Sequence, residues 1–113
     1  MKIDSYTFGS ITIDGEKYKK DVIILPDRVL SPWWRKDGHL LQFEDLEEVV
    51  NEGIPVLVVG TGFFGAMKVP EDTIGYLESK GIKVHVEKSK NAVELFNGLI
   101  EKGPVIGAFH LTC

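Results

Sequence analysis

The chain has 113 residues, 43% of them apolar and 27% charged, with a formal net charge of −4. That length suits a single domain over residues 1–113, with a core large enough to need no disulfide or metal staple. No block of like charges, no apolar leader behind Met1-Lys2-Ile3-Asp4-Ser5 and no apolar run near the roughly 18 residues of a membrane span occurs. Nucleic-acid and membrane partners are therefore not expected, and the cytoplasm is the expected compartment.

The first third reads as β structure. Ser10–Ile13 and Glu16–Tyr18 flank Asp14-Gly15, the pair a tight type I′ hairpin prefers. Val22-Ile23-Ile24-Leu25 is β-branched and stops at Pro26, and an extended stretch is expected from Val29 to Trp34. From Phe43 the period changes: Phe43, Leu46, Val49 and Val50 recur at helical spacing, which predicts a helix ending at Gly53. Val56-Leu57-Val58-Val59 reads as a strand buried on both faces. Pro70 with Glu71 and Asp72 suits the first turn of a second helix ending near Gly81. Ile82, Val84 and Val86 alternate with polar residues as in a strand with one wet face. Ser89 is placed to cap a third helix, with Ala92, Val93, Phe96, Leu99 and Ile100 on one face, that ends at Gly103, and Val105–Leu111 is expected to be a final strand.

This order predicts an α/β, three-layer fold: a mixed central sheet, with a β-rich antiparallel N-terminal part followed by alternating helices and strands.

Gly60-Thr61-Gly62-Phe63-Phe64-Gly65 matches G-x-G-x-x-G behind a buried strand, with Glu87 ending the next. A dinucleotide site needs the helix to begin inside the glycine run, and Pro70 holds Val69 extended and delays it. No cofactor is assigned. A reduced role survives: the Gly60-Thr61-Gly62 turn and Lys68 could hold a small anion through backbone N–H groups and one ammonium. The bland alternative is that the glycines simply permit a sharp turn. Phe63 and Phe64 suit the core or an interface.

His39, His85 and His110 match no helical metal pair, so no metal site is assigned. Cys113 is the one cysteine, which excludes an intrachain disulfide and a Cys-rich zinc site. His110 and Cys113, three positions apart on extended chain, point to opposite faces and do not form a nucleophile–base pair. No catalytic residues are assigned, and whether the chain is an enzyme is left open. In Trp33-Trp34-Arg35-Lys36 one indole is expected to pack inward. Trp34, Arg35 and His39 are candidate binding residues, because exposed Trp with Arg is the composition of a binding hot spot.

Three segments carry a resemblance: Trp33-Trp34-Arg35-Lys36-Asp37-Gly38-His39, then Val59-Gly60-Thr61-Gly62 with Met67-Lys68-Val69-Pro70, and the closing His110-Leu111-Thr112-Cys113. Together they resemble the small uncharacterised domain found in the adipogenesis-associated domain protein and in a mitochondrial respiratory complex I assembly factor. The resemblance runs nearly end to end. It implies a three-layer fold whose central mixed sheet has one strand opposed to the others, and a free-standing cytoplasmic member. It carries over no catalytic residue, and its assembly-factor branch implies protein binding. The leading expectation is a non-catalytic protein-interaction or assembly module. The rival is a small-molecule or anion-binding protein using Gly60, Thr61, Gly62, Lys68 and the Arg35/His39 region.

Overall fold

Residues 1–113 are all described in the computed structural model of the chain. Strands β1 (Ile3–Thr7), β2 (Ser10–Ile13) and β3 (Glu16–Tyr18) form an antiparallel sheet in the order β1-β2-β3. Asp14 and Gly15 join β2 to β3 with φ of 48° and 82°, the two positive values a type I′ turn requires.

The larger sheet contains β4 (Val22–Ile24), β5 (Val29–Leu30), β6 (Val56–Thr61), β7 (Lys83–Glu87) and β8 (Ile106–His110), in the order β5-β4-β8-β6-β7. Strand β6 pairs parallel with β7 and β8, while β4 pairs antiparallel with β5 and β8. Strand β4 alone therefore runs against the rest, as the family resemblance implies.

Successive residues of a strand face opposite sides, and the core divides accordingly. On one face Ile23, Leu57, Val59 and Ala108 pack with Leu46, Val49, Met67 and Leu77, the last from helix α1 (Glu71–Ser79). On the other, Val22, Ile24, Val58 and Phe109 meet Ala92 and Phe96 of helix α2 (Ser89–Leu99) and Ile3, Ile11 and Ile13 of the smaller sheet. The three layers follow from this alternation, each fully buried aliphatic side chain contributing about 1.5–3 kcal/mol. No helix is long and apolar enough to cross a membrane.

Three local expectations change. The helix expected from Phe43 to Gly53 is a short 3₁₀ helix, Phe43–Leu46, followed by turns. The Trp33 indole N–H takes the Asp45 carbonyl at 3.0 Å, and the Val49 N–H bonds to Leu46 O instead, so the α ladder does not grow beyond the single bond from the Val50 N–H to the Leu46 carbonyl. Ser89 does not cap α2; it lies inside the first turn, fully buried, and Lys88 is the N-cap. The extended stretch after Val29 forms ladder pairs only to Leu30, and the segment up to Trp34 is irregular.

Candidate functional site

The C-terminal ends of the parallel strands β6 and β8 lie side by side, with Thr61 opposite His110 in the ladder. In sheets of this kind, ligands favour the crevice beyond such strand ends. Residues from four parts of the chain converge there.

The first is the segment after β5. Trp33 is buried, and its ring carries the Arg35 guanidinium at 4.5 Å, a cation–π contact. This stack turns Arg35 inward, so that its side chain is only 4% exposed. Arg35 Nη2 donates to Asp21 Oδ2 at 2.7 Å and to the Gly38 carbonyl at 3.0 Å. Asp21, immediately before β4, also accepts the Leu111 N–H on Oδ1 at 2.8 Å.

His110 completes the group. Its Nδ1 lies 2.8 Å from Asp21 Oδ2 and 3.1 Å from Arg35 Nη2. Because both Nη2 protons are engaged by Asp21 and Gly38, the network assigns the imidazole proton to Nδ1, donated to Asp21. Two buried nitrogens then have no hydrogen-bond partner, Arg35 Nη1 and His110 Nε2. Buried polar atoms are rarely left so.

Burial by itself would raise the Asp21 carboxyl. Hydrogen bonds from His110, Arg35 and the Leu111 N–H outweigh it and hold the carboxyl below its usual value. Asp21 is therefore ionised and shared between two cation-forming side chains.

The glycine turn braces this cluster. Gly62 has φ of 107°, and a Cβ there would come within 2.8 Å of His110 Cδ2 and 2.5 Å of the Cys113 carbonyl carbon. A Cβ on Gly60 would lie 2.6 Å from the Phe109 ring and 2.7 Å from Ser89 Oγ. The Ser89 hydroxyl accepts the Gly62 N–H at 2.9 Å and donates to the His110 carbonyl at 2.6 Å, pinning the turn to β8. Helix α1 begins only at Glu71, with Pro70 as its N-cap, so the helix N-terminus is remote in sequence from the glycine run. The G-x-G-x-x-G spacing here serves close packing.

Of the residues singled out from sequence, Arg35, His39, Thr61 and Gly62 gather around His110. The His39 ring meets the His110 ring edge-on at 5.6 Å, and the Thr61 hydroxyl donates to the Glu87 carbonyl at 3.2 Å. Gly60 lies further back in β6, facing Phe109. Lys68 joins only through its backbone, with its N–H on the His39 carbonyl at 2.8 Å, while its side chain is exposed. Trp34 is 74% exposed, and with Lys19, Lys20, Asp21, Arg35 and Thr112 it lines a groove of about 250 Å³.

Sequence reasoning missed Asp21 and gave His110 no role. One signal was present: a histidine inside the otherwise apolar run Val105–Leu111 must find a polar partner when that run is buried. Nothing in the sequence pointed to Asp21 as that partner.

A second feature is exposed. Phe8, at the β1–β2 turn, meets Phe63 at 6.1 Å and Phe64 at 6.2 Å between ring centres. Phe64 is 69% and Phe8 51% exposed. Thr112 links this cluster to the groove, because its carbonyl accepts the Phe63 N–H at 2.7 Å.

Residues 3–110 match the family described as protein of unknown function (DUF498/DUF598). The human protein named NADH dehydrogenase (ubiquinone) 1 alpha subcomplex assembly factor 3 is 31% identical over 111 residues, covering 96% of this chain and 59% of the human one. Its mouse counterpart is 30% identical over 94% of this chain and 57% of its own length. The chain thus spans less than two-thirds of these curated relatives. Among solved structures, the conserved hypothetical protein PH1505 from Pyrococcus horikoshii OT3 superposes with a TM-score of 0.84 at 29% identity, covering both chains completely. The chain belongs to the DUF498/DUF598 family of proteins of unknown function.

Proposed function

We propose that this single domain is a non-catalytic protein-interaction or assembly module, acting in the cytoplasm, whose docking face is aromatic. The observation that carries the reading is the exposed cluster of Phe8, Phe63 and Phe64, with the exposed Trp34 in the groove that Thr112 also lines. Scattered exposed apolar residues are ordinary, but contiguous large aromatics mark surfaces that another molecule covers. Trp at the edge of such a patch is the residue type that most often anchors a protein interface. The names of the human and mouse relatives, both assembly factors, support the same reading. A nucleic-acid partner is not part of it, since the chain carries a net charge of −4.

The test is crosslinking in native extract followed by mass spectrometry, comparing the unmodified chain with Trp34→Ala, Phe64→Ala and the exposed control Lys102→Ala. The reading expects the same partner to be lost in both aromatic variants and retained in the control. Retention of every crosslink in Trp34→Ala and Phe64→Ala, with unchanged melting temperatures, would withdraw it.

A further inference from the structure

We propose that strand β7 is a self-pairing edge, along which two copies of the chain join their five-stranded sheets into one across a two-fold axis at His85. This surface is separate from the aromatic docking face and goes beyond it.

Proteins block or cover their sheet edges, because unpaired N–H and C=O groups there recruit other strands. In the smaller sheet the outer side of β1 is closed by Asn97, whose amide accepts the Ile3 N–H at 3.0 Å and donates to the Ile3 carbonyl at 2.8 Å. Strand β3 has only three residues and carries Lys17, with Lys19 and Lys20 directly after it. At one end of the larger sheet, β5 is two residues long. Strand β7, at the other end, is five residues long and contains neither proline nor glycine.

The ladder fixes which backbone groups of β7 are open. The Lys83 N–H donates to the Pro55 carbonyl at 2.8 Å, and β7 stays in register with β6 from Lys83 to Glu87. Backbone groups alternate sides along a strand, so Lys83, His85 and Glu87 bond toward β6. Val84 and Val86 therefore turn their N–H and C=O groups outward.

This edge is complementary to itself when reversed. Antiparallel pairing centred on His85 sets Val84 against Val86 of the second copy, and the two residues exchange both backbone hydrogen bonds. The same register sets Lys83 against Glu87 of the second copy at the closely spaced, non-hydrogen-bonded positions, and symmetry repeats the ion pair at the other end. The valines meet on the α1 face, where Val84 already packs on the core and Val86 is exposed. The charges meet on the opposite face, where Lys83 and Glu87 are both exposed. An axis at Val84 or Val86 would instead set Lys83 against His85 or Ser89, and neither charge would find its opposite. Both copies carry a net charge of −4, so the ion pairs set register and orientation while valine burial and the backbone supply the attraction. A second copy is the partner that the strand's own charges fit.

Sedimentation equilibrium of the intact chain, from about 10 μM to about 1 mM, tests the proposal. The expected result is a reversible monomer–dimer equilibrium, with slower exchange of the Val84 and Val86 amides as concentration rises. Lys83→Glu leaves acids at both ends of the strand and Glu87→Lys leaves bases at both, so each variant alone should dimerise roughly tenfold more weakly. Mixed in equal amounts, the two variants should form a heterodimer with the affinity of the unmodified chain, because every like-charge contact becomes an opposite one. Both positions are exposed, so neither change reaches the core. Phe64→Ala should leave the dimer intact; loss of the dimer there would assign self-association to the aromatic face and overturn the proposal. A monomer at every concentration would also overturn it, even one whose Val84 and Val86 amides gain protection from a strand of another protein. So would a dimer equally strong in both single variants and in their mixture.

Discussion

The Asp21 carboxylate and the His110 imidazole are 2.8 Å apart across 89 positions of sequence. The contact joins the start of β4 to the end of β8, and it makes the Asp21 carboxyl a contributor to the acid stability of the fold. Because the folded-state value of Asp21 lies below its ordinary one, the unfolded chain binds the extra proton. Stability from this group is complete above about pH 4–5, the range where a free aspartate titrates, and is lost as pH falls through the folded value. Urea denaturation at descending pH should show that loss in the unmodified chain and a flatter profile in Asp21→Asn. The variant should also be less stable near neutrality by about 3 kcal/mol, because Arg35 is left buried without its counter-ion.

Gly60→Ala should destabilise by about 1–3 kcal/mol, since the new methyl meets the Phe109 ring and Ser89 Oγ inside normal contact distance. Gly75→Ala is the contrast. Gly75 lies in the middle of α1 with nothing near its missing Cβ, and alanine there should stabilise by about 0.5–1 kcal/mol. Chemical denaturation midpoints of the two variants should move in opposite directions.

Ser89→Ala removes one hydroxyl and strands two backbone groups, the Gly62 N–H and the His110 carbonyl. A cost of about 2 kcal/mol is expected. Amide exchange should accelerate locally at Gly62, which separates loss of this pin from general loosening of α2.

The two adjacent indoles should behave oppositely in fluorescence. Trp33 is buried with its N–H on Asp45, whereas Trp34 is open to water. Trp34→Phe should leave a blue-shifted emission resistant to acrylamide, and Trp33→Phe a red-shifted, easily quenched one. Similar quenching in both variants would contradict the inward stack of Arg35 on Trp33.

The sheet's alternation with helices and the Asp14-Gly15 hairpin were legible because they rest on local chemistry: periodicity, Pro70, and residues that accept positive φ. The segment from Phe43 to Gly53 carried a helical period but lost its helix to a competitor 12 residues away, the Trp33 indole on the Asp45 carbonyl. Ser89 looked like a cap because Ser favours caps; its true partners, Gly62 and His110, come from the turn after β6 and the end of β8. The site divides similarly. Arg35, His39 and the glycine turn were named as separate patches, and it takes the parallel pairing of β6 with β8 to bring them to one place. Asp21 had no local mark at all, being one acid among 17 acidic side chains.

The middle of the larger sheet belongs to β8, which is flanked by β4 and β6 and buried along its whole length. During synthesis, β4 and β5 emerge long before residues 106–110 exist to cover them. The growing chain must hold an open, β-branched edge in solution until then, so nascent molecules are at their most sticky while the ribosome is still reading toward β8. Stalled or truncated products lacking that strand should be the species that chaperones and proteases meet.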